Sequence, residues 1–207
     1  LARVEGRTVG IVANDPGFLG GAIDADAADK AARFLALCDR SGVPVVFLCD
    51  TPGFMVGPAS EAAGAVRRMA QLFVTGANLS VPCATVVLRK GYGLGAQAMA
   101  AGSLKAPVFC VAWPTGEFGG MNLEGAVRLG MRRELDAIAD PVEREAAYAA
   151  MVARMYEHGR AVNTAEHFEI DDVIDPADSR RWIATVLAST PGPALRTGKK
   201  RPNIDTW

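Results

Sequence analysis

The sequence is poor in the side chains that most often carry chemistry. Among its 207 residues are two histidines, His158 and His167, too few for a histidine-rich metal site or a choice of Ser-His-Asp triads. His158 closes a helix pattern, where a cation suits the helix dipole, and His167 lies in a polar stretch; both read as structural or solvated. The four cysteines, Cys38, Cys49, Cys83 and Cys110, form no C-x-x-C pair and sit in apolar runs. They read as buried free thiols in a reducing, cytoplasmic setting. No sign of charge dominates: 22 basic and 23 acidic residues leave a net charge of -1, without long like-charged blocks. That argues against nucleic acid and anionic membrane as partners. No apolar run approaches the roughly 18 residues of a membrane helix. The opening "LARVEGRTVG" lacks the apolar core of a signal peptide and starts with Leu. Running at once into a strand pattern, it reads as the start of a fragment of a longer chain.

What is present is an alternation of strands and helices. "TVGIVA" (8–13), "VPVVFLC" (43–49), "VPCATVVL" (81–88) and "VFCVAW" (108–113) are continuous apolar runs of strand length. Between them, 24–42 reads as a helix with Asp24 as cap and Gly42 beyond its end, and 60–77 as a helix capped by Ser60. The last third is helical: Asp140, Pro141 and Glu143 open a helix that stops at Gly159, and Asp175-Pro176 opens another over 175–189. Buried strands alternating with helices predict an α/β domain with a largely parallel sheet. No internal repeat or linker interrupts it, so residues 1–207 read as one domain, ending in an extended tail, "TGKKRPNIDTW".

Two glycine-rich turns follow strands. The first, "RKGYGLGAQAMAAG" (89–102), contains no histidine, serine, aspartate or cysteine. It lacks the Gly-Lys-Ser/Thr ending of a P-loop. Gly93-Leu94-Gly95-Ala96-Gln97-Ala98 fits the loose dinucleotide form G-x-G-x-x-A, and Glu117 lies at a distance suited to a ribose, but the turn follows the third strand rather than the first. A turn that only needs positive φ and tight helix packing is an equal alternative. Asp50, at a strand end before Pro52-Gly53, reads as a turn cap rather than a catalytic acid. Arg67 and Arg68 read as a solvated helix face. The second turn, "WPTGEFGGMN" (113–122), completes a crevice at the strands' carboxyl ends. Such a crevice needs no catalytic side chain if amides at a helix N-terminus converge on one oxyanion.

Taken in order, "GRTVGIVAND", "GGAIDADAADKAARFLALCD", "VPVVFLCDTPGFMVG", "RKGYGLGAQAM", "AWPTGEFGGMNLEGAV" and "DDVIDPADSRRWI" resemble the C-terminal half of the carboxyltransferase (beta) subunit of biotin-dependent acyl-CoA carboxylases, of propionyl-CoA carboxylase beta type. The resemblance implies a crotonase-like fold, a spiral of parallel strands and helices with a helical C-terminal third. It implies transfer of a carboxyl group from carboxybiotin on a carrier protein to the α-carbon of an acyl-CoA, without a metal. The backbone amides of Leu94 and Gly95 then form the oxyanion hole for biotin, and Tyr92, Gly93, Gln97, Phe54, Gly119 and Gly120 line the substrate site. Phe54, Met55, Tyr92 and Phe118 are expected to form an exposed apolar crevice that pairs with another copy or with the family's N-terminal, acyl-CoA-binding half. Biotin carboxyl carrier protein and biotin carboxylase are the implied partners. A biotin-dependent acyl-CoA decarboxylase component, or a non-catalytic docking domain, are the alternatives. Three positions depart from the family: Leu94 and Asn122 stand where glycine is usual, and Gln97 stands where the propionyl type carries aspartate, a position associated with acyl-chain selection.

Overall fold

The computed structural model describes residues 1–190. The strands are β1 (Ala2–Val4), β2 (Arg7–Ala13), β3 (Val45–Thr51), β4 (Cys83–Tyr92), β5 (Phe109–Ala112), β6 (Glu117–Gly119) and β7 (Asp172–Val173). The helices are α1 (Ala25–Arg40), α2 (Pro58–Ala62), α3 (Ala65–Ala77), α4 (Gly93–Ala98), α5 (Leu123–Gly130), α6 (Arg132–Asp136), α7 (Pro141–His158), α8 (Ala161–Glu166) and α9 (Ser179–Ser189). The sheet runs β1-β2-β3-β4-β5-β7, with β6 pairing to the far end of β4. Among the described strand pairs only β1–β2 is antiparallel. Both sheet faces are covered, which is why the strands read as unbroken apolar runs. Val45, Phe47, Cys49 and Val87 face one core layer, where Leu35 and Cys38 of α1 and Met69 and Leu72 of α3 close over them. Val9, Val46, Val86 and Val111 face the other, closed by Ile174 and by Ile183 and Leu187 of α9.

The aspartate caps are as expected. Asp24 accepts from the Ala27 N–H at 2.8 Å, Asp140 from the Val142 N–H at 2.7 Å and Asp175 from the Ala177 N–H at 2.8 Å. All four cysteines are buried and free. Other expectations are corrected. The helix drawn over 60–77 is two helices, because Gly64 takes a left-handed φ of 72° between α2 and α3. Ser60 caps nothing; α2 starts at Pro58, and the Ser60 hydroxyl donates to the Met55 carbonyl at 3.3 Å. Arg68 is no solvated bystander: it ties α3 to α1 through Asp26 and through Asp29, whose Oδ2 accepts from Nε at 2.8 Å. The last third is interrupted by β7, which adds a sheet edge beside β5. The helix expected over 175–189 opens with a single 3-10 turn before α9. The expected tail beyond 190 lies outside the described residues.

Candidate active site

The glycine turns meet at the carboxyl ends of β3, β4 and β6. β4 runs four residues past its expected end, through Arg89–Tyr92, and α4 starts at once with Gly93. Backbone contact brings the three turns together. A Cβ built on Gly95 would lie 2.7 Å from the Gly53 backbone and 3.1 Å from the Phe54 nitrogen. Gly93 adopts φ +57°, and a Cβ there would lie 2.8 Å from the Gly120 carbonyl oxygen. Only glycine lets the start of α4 sit between the β3 turn on one side and the β6 turn on the other. Gly93, Leu94 and Gly95 are the first three residues of α4, so their N–H groups have no acceptor within the helix. Leu94 is absent from the residues with positive φ, and its side chain is 62% exposed. A leucine is therefore tolerated where the family's glycine is usual.

The β3 turn is fixed from below. Thr51 Oγ1 accepts from the Gly53 N–H at 3.1 Å, the cap role expected of Asp50. Asp50 instead reaches across to β4. Its Oδ1 accepts from the Lys90 N–H at 3.1 Å and Arg89 Nε at 3.3 Å, and Oδ2 lies 3.2 Å from Arg89 Nη2. These bonds span the irregularity in register between Cys49 and Thr51. They also commit Arg89, one of two basic residues near the turn.

The β6 turn is fixed by tyrosine–carboxylate pairs. Tyr92 is 1% exposed, and its hydroxyl donates to Glu117 Oε2 at 2.7 Å. Burial first, then the Glu117 carboxylate, push its ionisation well above the ordinary tyrosine range. Tyr156 on α7 donates to Glu124 Oε1 at 2.7 Å. That bond pushes the Tyr156 hydroxyl up to about 12 and holds Glu124 below its ordinary value. Asn122 serves as the α5 cap, its Oδ1 accepting from the Gly125 N–H at 2.9 Å. The second departure from the family thus has a structural use.

Of the residues expected at the site, Gly93, Leu94, Gly95, Gly119 and Gly120 are brought together, with Gln97 half a turn further along α4. Tyr92 lies beneath them, its ring in the core. The expected exposed crevice of Phe54, Met55, Tyr92 and Phe118 is not formed. Phe54 is half-buried against Phe73, at 5.9 Å between ring centroids, and Phe118 is 9% exposed. The exposed apolar residues of these turns are Met55, Val56, Leu94 and Met121. A cavity of about 550 Å³ is lined by Gly93, Gln97, Gly119, Gly120, His158 and His167. The two histidines were read from sequence as structural or solvated. What carries His158 there is the end of α7, where the Phe118 N–H donates to the Gly159 carbonyl at 2.7 Å. His167 Nδ1 lies 2.8 Å from the Asn163 carbonyl. The helix stop at Gly159 was the only sequence signal for this placement. Among the described residues, no group of three His, Cys, Asp or Glu could hold a metal ion, and no helix is long and apolar enough to cross a membrane.

The arrangement is a helix N-terminus seated between glycine turns, with its first amides lacking acceptors within the helix. Residues 1–204 match the carboxyl transferase domain family. The chain is 42% identical over 191 residues to the methylmalonyl-CoA carboxyltransferase 12S subunit of Propionibacterium freudenreichii subsp. shermanii, covering 90% of this chain and 35% of that protein. A solved structure of a single-chain, multi-domain long-chain acyl-CoA carboxylase matches with a TM-score of 0.80 and 59% identity, over 88% of this chain and 18% of that one. The transcarboxylase 12S crystal structure, described as a hexamer assembly, matches with a TM-score of 0.83 and 38% identity, over 97% of this chain and 38% of that one. The chain belongs to the carboxyl transferase domain family and has its crotonase-like α/β fold. It spans about a third of the length of the curated relative it matches.

Proposed function

We propose that this chain is the biotin-side half of an acyl-CoA carboxyltransferase. The observation that carries the reading is the start of α4, where glycine-only contacts at residues 93 and 95 seat the first turn, which carries the Leu94 and Gly95 amides, between the Gly53 and Gly120 turns. The crevice suits a flat, uncharged ring with one oxygen acceptor: its walls are glycine backbone, and its donors are uncharged amides. Bound here, the carboxybiotin of a carrier protein would supply the carboxyl group, and the biotin left once that group departs would supply the base for the acyl α-proton. The chain's own residues bind and orient. Leu94 and Gly95 direct their N–H groups at the ring oxygen as negative charge grows there, where one well-placed donor is worth about 3 kcal/mol. The Gly53 and Gly120 turns exclude water and fix the ring plane. Proximity supplies the rest, because the two reactants need only be held in line.

This account assigns CoA to the rest of the protein. Arg89 is bound to Asp50, leaving Lys90 as the basic residue at the turn. The family's N-terminal half, a biotin carboxyl carrier protein and a biotin carboxylase are the proposed partners, in a cytoplasmic setting consistent with four free buried thiols. Exposed Met55, Val56, Leu94 and Met121 support pairing with that half or with another copy, and the hexameric relative supports an oligomer. The relatives leave the acyl group open between short and long chains.

The test is reconstitution. Biotinylated carrier, biotin carboxylase, ATP, bicarbonate and propionyl-CoA are combined with this chain, with and without the N-terminal half. Turnover is expected only in the mixture; equal turnover by the lone chain contradicts the half-site reading.

A further inference from the structure

Helix α7 is 18 residues long and buries none of them. Its apolar side is nonetheless well formed. Tyr148, Met151, Val152, Met155 and Tyr156 recur at i, i+3, i+4, i+7 and i+8, the spacing of a single helix face. All five are only half-buried. An apolar helix face that its own fold leaves half-covered is available to a ligand.

The space beside it is a second cavity, of about 580 Å³, lined by Val127 and Met131 on the α5 side and by Met151 and Met155 on α7. Met155, His158 and Asn163 line both this cavity and the one at the glycine turn. The two cavities therefore adjoin along these three residues and are taken together as one groove. Its inner end is at Gln97 and Gly93, and its outer end opens at Met131, which is 41% exposed. Arg154 and Glu157 stand exposed along the outer rim.

We infer that this groove is the subsite for the hydrocarbon chain of an acyl-CoA substrate longer than propionyl. The inference rests on the carboxyltransferase reading. That reading fixes the acyl α-carbon at the glycine turn, and the groove leads away from there. Its lining chemistry fits a flexible alkyl chain, since methionines are unbranched, polarisable and able to repack around occupants of different length. The open outer end sets no sharp upper limit on length. Gln97, at the inner end, is uncharged and puts no charge in the path of the chain.

Burying one methylene is worth about fourfold in affinity. With the complete carboxyltransferase that contains this chain, kcat/KM is measured for propionyl-, hexanoyl-, decanoyl- and dodecanoyl-CoA. It is expected to rise with length. In Met151→Trp, which fills the groove, the ratio of dodecanoyl to propionyl kcat/KM is expected to fall about a hundredfold, the loss of three to four methylenes at about fourfold each. A flat length series in the unaltered enzyme overturns the inference while leaving the carboxyltransferase reading intact. So does a Met151→Trp enzyme whose change is in KM for the biotinylated carrier, or in oligomer size by sedimentation, at constant length preference. If Met151→Trp fails to fold, the unaltered enzyme decides: a dodecanoyl-CoA analogue with a terminal diazirine should label residues 123–131 or 148–156, and labelling confined elsewhere refutes the subsite. Absence of any acyl-CoA carboxylation would instead refute the underlying reading.

Discussion

The Tyr92 hydroxyl donates to Glu117 Oε2 at 2.7 Å, joining the last residue of β4 to the first residue of β6. Tyr92 also stands immediately before α4, so the bond fixes the point from which the Leu94 and Gly95 amides project. It sets the distance between the two glycine turns that form opposite walls of the crevice.

Tyr92→Phe keeps the buried ring and removes the donor. The Glu117 carboxylate then loses its hydroxyl partner, at a stability loss of about 1–2 kcal/mol. Because the bond positions the amides rather than touching substrate, kcat should fall by about tenfold with KM for the carrier nearly constant. Steady-state kinetics and thermal unfolding check this; a loss of stability with unchanged kcat would reduce Tyr92 to a core residue.

Tyr156 carries a pH signature. Its hydroxyl is pushed up to about 12, mainly by its bond to Glu124, from an ordinary value of about 10. A folded-state value above the unfolded one adds stability that is complete below about pH 10 and lost as pH rises through 12. Tyr156→Phe lacks this contribution. The stability difference between the two proteins, about 1 kcal/mol at pH 8, should therefore shrink on going to pH 11. Urea unfolding of both proteins across that range is the check, and the cysteines, which titrate alike in both, cancel. A constant difference would contradict the assignment.

Asp50 should prove structural. It is 7% exposed and holds β4 to β3 through the Lys90 amide and Arg89. Asp50→Ala leaves that amide without its acceptor and should destabilise the protein by about 1–3 kcal/mol. Asp50→Asn, which keeps an acceptor oxygen, should recover much of the loss. Equal damage from both, confined to kcat, would point to a chemical role for the carboxylate.

The layout was legible where local rules decide the outcome. The strands buried on both faces showed as unbroken apolar runs, and Asp24, Asp140 and Asp175 announced their helices because a cap is a contact between near neighbours. The glycine turn was legible as a place of close backbone approach because Gly93 and Gly95 stand between a buried strand and a helix. Failures came where distant segments decide. Gly64 sits in an alanine-rich run that hides the break between α2 and α3. Tyr92 and Phe118 read as crevice residues because nothing local reveals that β6 pairs with the end of β4 and buries them. Arg68 read as solvated because its partners, Asp26 and Asp29, lie some forty residues away in sequence. His158 and the cavity it lines became visible only when α7 ended against Phe118.

The central claim is that two backbone amides carry the catalysis, and Leu94 offers the cleanest access to it. At position 95 any side chain would strike the Gly53 turn, so a substitution there disturbs geometry and donor together. Leu94 is exposed, lies in the first turn of α4, where proline is best tolerated in a helix, and does not take a positive φ, which proline could not adopt. Leu94→Pro deletes one N–H, while Leu94→Ala keeps it and serves as the matched control. The decisive measurement is kcat for carboxyl transfer from biotinylated carrier to acyl-CoA in the complete enzyme, with folding of each variant checked by thermal unfolding. The account predicts that Leu94→Pro is slower than Leu94→Ala by about two to three orders of magnitude at similar thermal stability. Equal rates for the two folded variants would contradict it.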